Sequence, residues 1–333
     1  MTRNRGEIRS GAAGEQPLAS VVIPAYNAAP YIAATVESVL AQTYGAVEVI
    51  VVDDGSTDET KALLAGYRAA ERIRYCYQCN TGPSAARNRG MLLSRGAYLI
   101  FLDADDLLSP GYVDAAVRFM AEYRQVDFVF SNYELFDEGG VVAASGVDRW
   151  KIFRSIPHFT VGGGRWLFAE SLTRSIIQYG GFMTTSSVAF RKEALGNERF
   201  REGFFYGEDD EFFARVNYRS KAGYIDRVLV SKRVHGRSII HDRSKSLRNA
   251  AHFIALAELQ RVYYREDPAI RAVLEQKIPA LTADYCWHLI DRGQYRAAQE
   301  MLAQTLRRYP KAYPLYKLLV KSYLRRIYRA AGA

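Results

Sequence analysis

Over residues 19–103 the chain alternates between short, nearly unbroken apolar runs and longer segments with one apolar face. "ASVVIPAYN" (19–27) is a β-branched run that ends near Pro24 and reads as a strand. In "APYIAATVESVLAQ" (29–42), Ile32, Val36, Val39 and Leu40 fall at helical spacing, with Pro30 tolerated in a first turn. "VEVIVVDDGSTDET" (47–60) is a second buried strand that runs into Asp53 and Asp54 and then a Gly-Ser turn with acidic helix-start residues. "RIRYCYQC" (72–79) alternates as a third strand, "GPSAARNRGMLLSRG" (82–96) predicts a helix from Pro83 to Gly96, and "YLIFLD" (98–103) is a fourth strand. Apolar strands alternating with helices predict an α/β fold: a Rossmann-like, mostly parallel sheet with helices on both faces.

Further on the pattern loosens. "VDFVFSNYELF" (126–136) predicts a strand, "VGGGRWLF" (161–168) a glycine-rich loop, and "TTSSVAFRKEAL" (184–195) a strand leading into a short helix. "YGEDDEFFARVNYRSKAGYI" (206–225) predicts an acidic turn, a helix and a strand. From about Ser244 the periodicity is wholly helical. The expected organisation is a loose polar tail over 1–17, an α/β domain over 18–243 and a helical carboxyl-terminal region over 244–333.

Open α/β sheets bind ligands at the carboxyl ends of their strands. Here those ends carry Pro24, Ala25 and Tyr26, then Asp53 and Asp54, then Asp103, Asp105 and Asp106. Neither a G-x-G-x-x-G nor a G-x-x-x-x-G-K-[ST] follows the first strand, so dinucleotide and P-loop folds do not fit. Three carboxylates at a buried strand's mouth repel one another. A hard divalent cation, Mn²⁺ or Mg²⁺, bridged to an anionic ligand removes that conflict.

Together these stretches resemble the family 2 glycosyltransferases of GT-A fold. The resemblance rests on "SVVIPAYNAAPYIAATVESVLAQTY", "VEVIVVDDGSTDET", "NTGPSAARNRG", "YLIFLDADD", "TTSSVAFRKEAL" and "GEDDEF", in the family's order over about 19–235. It implies an inverting, metal-dependent transferase with a nucleotide-sugar donor, UDP-sugar by analogy, and a glycan or lipid-linked acceptor. Carried over residue by residue, Pro24, Ala25 and Tyr26 would line the base and ribose pocket, and Asp53 would contact the base, with Asp54 and Ser56 nearby. Arg87 would lie near the nucleotide, Asp103 would face the ribose and donor sugar, and Asp105 would hold the metal. The family's base is the acid after Glu, here Asp209. Glu208, Asp209, Asp210 and Glu211 follow in succession, so the register stays open, with Glu208 also a catalytic candidate. His235 matches a late metal-reaching histidine, and His241 is its rival. Two other classes share parts of this pattern. A nucleotidyltransferase would bring a basic glycine-rich phosphate loop after the first strand, which is missing; a non-catalytic sugar or membrane-surface adaptor would not need Asp105 and Asp209.

Composition changes this picture little. The 49% apolar and 24% charged residues are those of an ordinary globular protein. Three cysteines are too few for a disulfide framework and predict a reducing, cytoplasmic setting. Cys76 and Cys79 form a C-x-x-C, but three-residue spacing on a strand puts them on opposite faces. The net charge of +9 resides after Ser244, where 16 Lys/Arg face 7 Asp/Glu, which argues against a nucleic-acid partner for the α/β domain. "YCWHLIDRGQYRAAQEMLAQTLRRYP" (285–310) resembles one helical hairpin of the tetratricopeptide kind, a unit that must pack on something else. Residues 311–333 hold six Lys/Arg and no acid, with Leu315, Leu318, Leu319, Tyr323 and Ile327 near helical spacing. Two readings stand: a helix capping the domain with a solvated basic face, or an amphipathic helix on an anionic membrane, which would put the enzyme at the inner face of the cytoplasmic membrane.

Overall fold

The computed structural model describes residues 16–204, 206–235 and 246–331. The boundary expected at 243/244, the rival His241 and most of the 1–17 tail lie outside the described residues. The first half follows the alternation of the sequence: β1 (Ala19–Ala25), α1 (Ile32–Leu40), β2 (Val47–Asp54), α2 (Thr60–Ala69), β3 (Arg74–Gln78), α3 (Pro83–Leu93) and β4 (Tyr98–Phe101). These strands lie in the order β3-β2-β1-β4, all parallel, with Ala25 opposite Asp53 at the site end. Burial on both faces explains the unbroken apolar runs: Val21, Val22, Ile23, Ile50, Val51 and Ile100 are inaccessible to solvent. Helix α3 lies tight on β1. A Cβ on Gly90 would come within 2.1 Å of Val22 Cγ1, so only glycine permits this approach.

The second half is mixed in direction. After β5 (Leu107–Leu108) and α4 (Tyr112–Glu122) come β6 (Phe128–Asp137) and β7 (Gly140–Ala143), then β8 (His158–Thr160) and β9 (Arg165–Phe168). The glycine-rich stretch expected as a loop is the turn of the β8–β9 hairpin, with β9 beginning inside it. Helix α5 (Thr173–Tyr179) leads to β10 (Val188–Arg191), which enters the sheet antiparallel between β4 and β6. Short α6 (Lys192–Leu195), α7 (Glu208–Asn217) and β11 (Ala222–Arg233) complete the domain. β11 pairs parallel with β6 but slips register twice. Ala222 lies opposite Phe128, whereas Arg233 lies opposite Phe136.

The helical region comprises α8 (Ser246–Tyr263), α9 (Pro268–Asp291), α10 (Tyr295–Arg308) and α11 (Tyr313–Ala331). Tyr264, Ile270, Leu274 and Ile278 join the core of the α/β domain, so the start of this region is part of that core. The expected hairpin forms from the end of α9 and α10. It buries its face with α11 around Cys286, Leu289, Leu302 and Leu315. The apolar face anticipated for α11 is divided: Leu315, Leu318 and Leu319 pack inward, while Tyr323 and Ile327 face solvent. No helix among the described residues is long and apolar enough to cross a membrane.

Candidate active site

The site is assembled where the parallel strands end. At the end of β1, Pro24 and Ala25 are largely enclosed, and Tyr26 leaves its ring half exposed at the rim. Asn27, at φ 50°, ties this end to the next: its Oδ1 accepts from the Thr57 N–H at 2.8 Å, and its own N–H donates to Ser56 Oγ at 3.0 Å. Asp53 is fully buried and accepts from the Ser56 N–H (2.8 Å) and the Tyr75 hydroxyl (2.6 Å). Asp54 turns toward α3, where it accepts from the Gln78 side chain and from the Thr81 and Gly82 N–H groups at 2.8–3.0 Å. It thus neutralises the open N–H groups at that helix start. In this arrangement both aspartates shape the loops around the site with their carboxylates engaged inside the protein.

Arg87 projects from α3 into the centre. Its guanidinium donates to Asp103 Oδ1 and Glu208 Oε1, each at 2.9 Å, and lies over the Phe200 ring. Burial works to lower the Arg87 pKa, but the charges of Asp103 and Glu208 outweigh it and raise it further. The reverse holds for Asp103: burial would raise its pKa, and Arg87 with Lys232 holds it below the usual carboxylate range.

The acid cluster after β4 draws much of its counter-charge from the chain itself, which sequence reasoning missed. Lys232, near the end of β11, places Nζ 3.8 Å from Asp103 Oδ2, 3.9 Å from Asp106 Oδ2 and 3.1 Å from Thr184 Oγ1. Burial acts to lower the Lys232 pKa, and Asp106, Asp103 and Asp105 more than reverse this. Asp106 is inaccessible to solvent and accepts from Ser186 Oγ (2.6 Å) and the Arg233 N–H (3.0 Å). Burial pushes its carboxyl up to about 7, against Lys232 and with the charges of Asp105 and Asp103. A lysine in a strand ordinarily reads as a solvated edge, and the strand predicted from the sequence stops at residue 225. The signal available was alternation, since Val230 and Lys232 share a face.

Asp105 stands apart from this internal pairing. Its side chain is 32% exposed, and His235 Nε2 lies 3.0 Å from its Oδ2, with the imidazole stacked on Tyr31. The two residues expected to reach a metal therefore meet. Among the described residues, no group of three or more His, Cys, Asp or Glu side chains could hold a metal ion.

The four acids opening α7 differ sharply in their partners. Glu208 is held by Arg87; burial first, and the Asp209 charge second, raise its pKa. Both oxygens of Asp210 accept from the Gly181 N–H, at 3.0 and 3.2 Å, and its carboxyl is pushed up to about 7 by burial and by Asp209. Glu211 is buried between Arg215 and Arg201. Asp209 accepts from the neighbouring Asp210 N–H (2.8 Å) and stands 3.5 Å from Thr185 Oγ1. Among the described residues neither Asp209 nor Asp210 is held by an ion pair, and of these two only Asp210 bonds with both oxygens to a distant backbone amide.

Residues 20–175 match the family model of glycosyl transferase family 2. An uncharacterized glycosyltransferase of Rickettsia felis is 40% identical over 219 residues, which is 65% of this chain and 33% of that protein. The chondroitin synthase of Escherichia coli is 28% identical over 235 residues, 70% of this chain and 31% of that one. The first relatives are matched over 29% to 64% of their own length. Among solved structures, residues 1–349 of S. aureus TarS, in complex with UDP-GlcNAc, superpose with a TM-score of 0.63 at 18% identity, covering 95% of this chain and 92% of that one. Residues 20–175 therefore form a domain of glycosyl transferase family 2, and the α/β domain that contains them has the GT-A fold.

Proposed function

We propose that this chain transfers a sugar from a UDP-sugar to a hydroxyl of a glycan or lipid-linked acceptor, with inversion at the anomeric carbon. The observation that carries the reading is the contrast at the start of α7. Glu208 and Glu211 are paired with arginines and Asp210 holds the Gly181 N–H with both oxygens, whereas Asp209, among the described residues, is bonded only to the N–H of the next residue and, at 3.5 Å, to the Thr185 hydroxyl. A donor of the uridine diphosphate class is supported by the TarS structure, which holds UDP-GlcNAc in a superposable fold.

In this reading Asp209 accepts the proton of the acceptor hydroxyl as that oxygen attacks, a contribution of roughly 10²–10⁴-fold in rate. Arg87 holds Glu208 in place and fixes Asp103, while Lys232 steadies the second oxygen of Asp103, so that Asp103 is set to receive hydroxyls of the donor. Tyr26 offers an open ring face at the rim for the base. Asp105 and His235 would be the residues to hold a Mn²⁺ or Mg²⁺ ion. When bound, such an ion stabilises the negative charge of the leaving diphosphate.

The test is turnover of a panel of UDP- and GDP-sugars by the purified chain, with Mn²⁺, Mg²⁺ or chelator. Release of UDP should need a divalent ion, and Asp209→Asn should lower it at least about a hundredfold with donor affinity little changed. Full turnover in chelator would remove the metal from the mechanism. A normal Asp209→Asn beside an inactive Glu208→Gln or Asp210→Asn would shift the base by one position. Donor binding without any turnover would favour an adaptor.

A further inference from the structure

Helix α11 presents two apolar faces. The inner one closes the small core of the helical region through Leu315, Leu318 and Leu319. The outer one is a continuous stripe, because Tyr313, Tyr316, Val320, Tyr323, Leu324 and Ile327 recur every three or four residues and all are exposed. Beside it, α9 and α11 enclose a groove of about 300 Å³, lined by Trp287, Pro314, Leu318 and the stems of Lys317 and Lys321. Lys321 Nζ lies 3.9 Å from the centre of the Trp287 ring, and Arg325 approaches the same ring.

We propose that this face of α11, with the Trp287 groove at its edge, docks on the surface of an anionic lipid bilayer. Charge selects this occupant. After Glu300 the sequence contains eight Lys/Arg and no Asp or Glu, so α11 itself carries a single sign of charge, which suits lipid phosphates, while on α9 Asp291 is paired with Arg325 at 3.8 Å. Aromatic chemistry agrees with it. Three tyrosines and a tryptophan, apolar with a polar edge, are the side chains that settle at the headgroup level. Lys317 and Lys321 lay their stems along the groove and can carry their charges up to phosphates. The helix lies on the bilayer rather than crossing it, in keeping with its alternating polar and apolar faces. The proposal does not depend on the transferase reading.

The experiment is co-sedimentation of the full chain with vesicles of phosphatidylcholine alone and with added phosphatidylglycerol, at low and high salt. Recovery is expected with the anionic vesicles at low salt and should fall as salt rises. Lys317→Gln with Lys321→Gln should weaken partitioning about 30-fold, as expected for two basic residues near such a surface. Val320→Ser with Ile327→Ser should abolish recovery, with an unchanged melting temperature showing that the fold is intact. Equal recovery on neutral and anionic vesicles would overturn the proposal, as would recovery untouched by the serine pair. A stripe-dependent dimer in light scattering, with no vesicle binding, would assign the face to a second copy and refute the lipid partner.

Discussion

Replacing Arg87 by methionine keeps an apolar stem against Phe200 but removes the cation between Asp103 and Glu208. The consequence can be sized from burial. The Arg87 side chain is 6% exposed and that of Glu208 is 9% exposed, so a stranded Glu208 charge has almost no water to turn to. Removing one member of a buried pair costs about 3–5 kcal/mol. Asp103 suffers less, being 23% exposed with Lys232 still nearby. Most of the penalty therefore falls on Glu208, whose carboxyl is already raised and rises further without Arg87. A carboxyl raised in the folded state favours folding below its unfolded pKa, about 4.3, and that benefit is lost as pH climbs through the folded value. The variant should thus lie closest to wild type in acid and furthest from it above neutrality. Urea unfolding at acidic and alkaline pH reads this directly. Adding Glu208→Gln to Arg87→Met removes both charges and should recover at least half of the loss at alkaline pH. A single variant that loses less than about 1 kcal/mol there, or a double variant no better than the single, would refute the view of Arg87 as an internal bridge.

Two further outcomes follow from close packing and from titration. Gly90→Ala places a methyl group 2.1 Å from Val22 Cγ1 and should destabilise by about 1–3 kcal/mol in thermal unfolding, with partial relief from Val22→Ala; a neutral Gly90→Ala would show that α3 can lift off β1. The Asp210 carboxyl is pushed up to about 7 when folded and lies near 3.9 when unfolded, so its contribution is whole below about pH 4 and disappears as pH rises through about 7. Asp210→Asn keeps an acceptor for the Gly181 N–H and should flatten that decline in melting temperature. An equally steep decline in the variant would assign it to other groups.

The parallel half of the sheet was legible because each strand is buried on both faces, so β1, β2 and β4 are written as unbroken apolar runs. The mixed half was harder. β9 begins inside a glycine-rich stretch, and β11 carries Asp226 and Arg227 through its register slip. The acids at the strand ends were visible, but their partners were not, since Lys232 reaches Asp103 across more than a hundred residues of chain and no local pattern encodes that pairing. Asp54 shows the converse. Its neighbourhood in the sequence suggests a ligand contact, and only the fold brings the start of α3 within its reach. On α11 periodicity revealed that apolar positions exist but not which of two faces is covered, because that depends on where α9 and α10 lie.

By its end β11 has gained three residues on β6, and three is odd. In an extended chain each added residue reverses the direction of every later side chain. The slip is thus a phase setter. It decides that Lys232, rather than Ser231 or Arg233, is presented to Asp103 and Asp106. Inheritance of the site is then constrained in length as well as in composition. Between Ile225 and Val230 the chain could exchange many side chains without disturbing the acid cluster, and could gain or lose residues in pairs. A single insertion or deletion would turn this lysine outward while leaving every acid of the cluster in place.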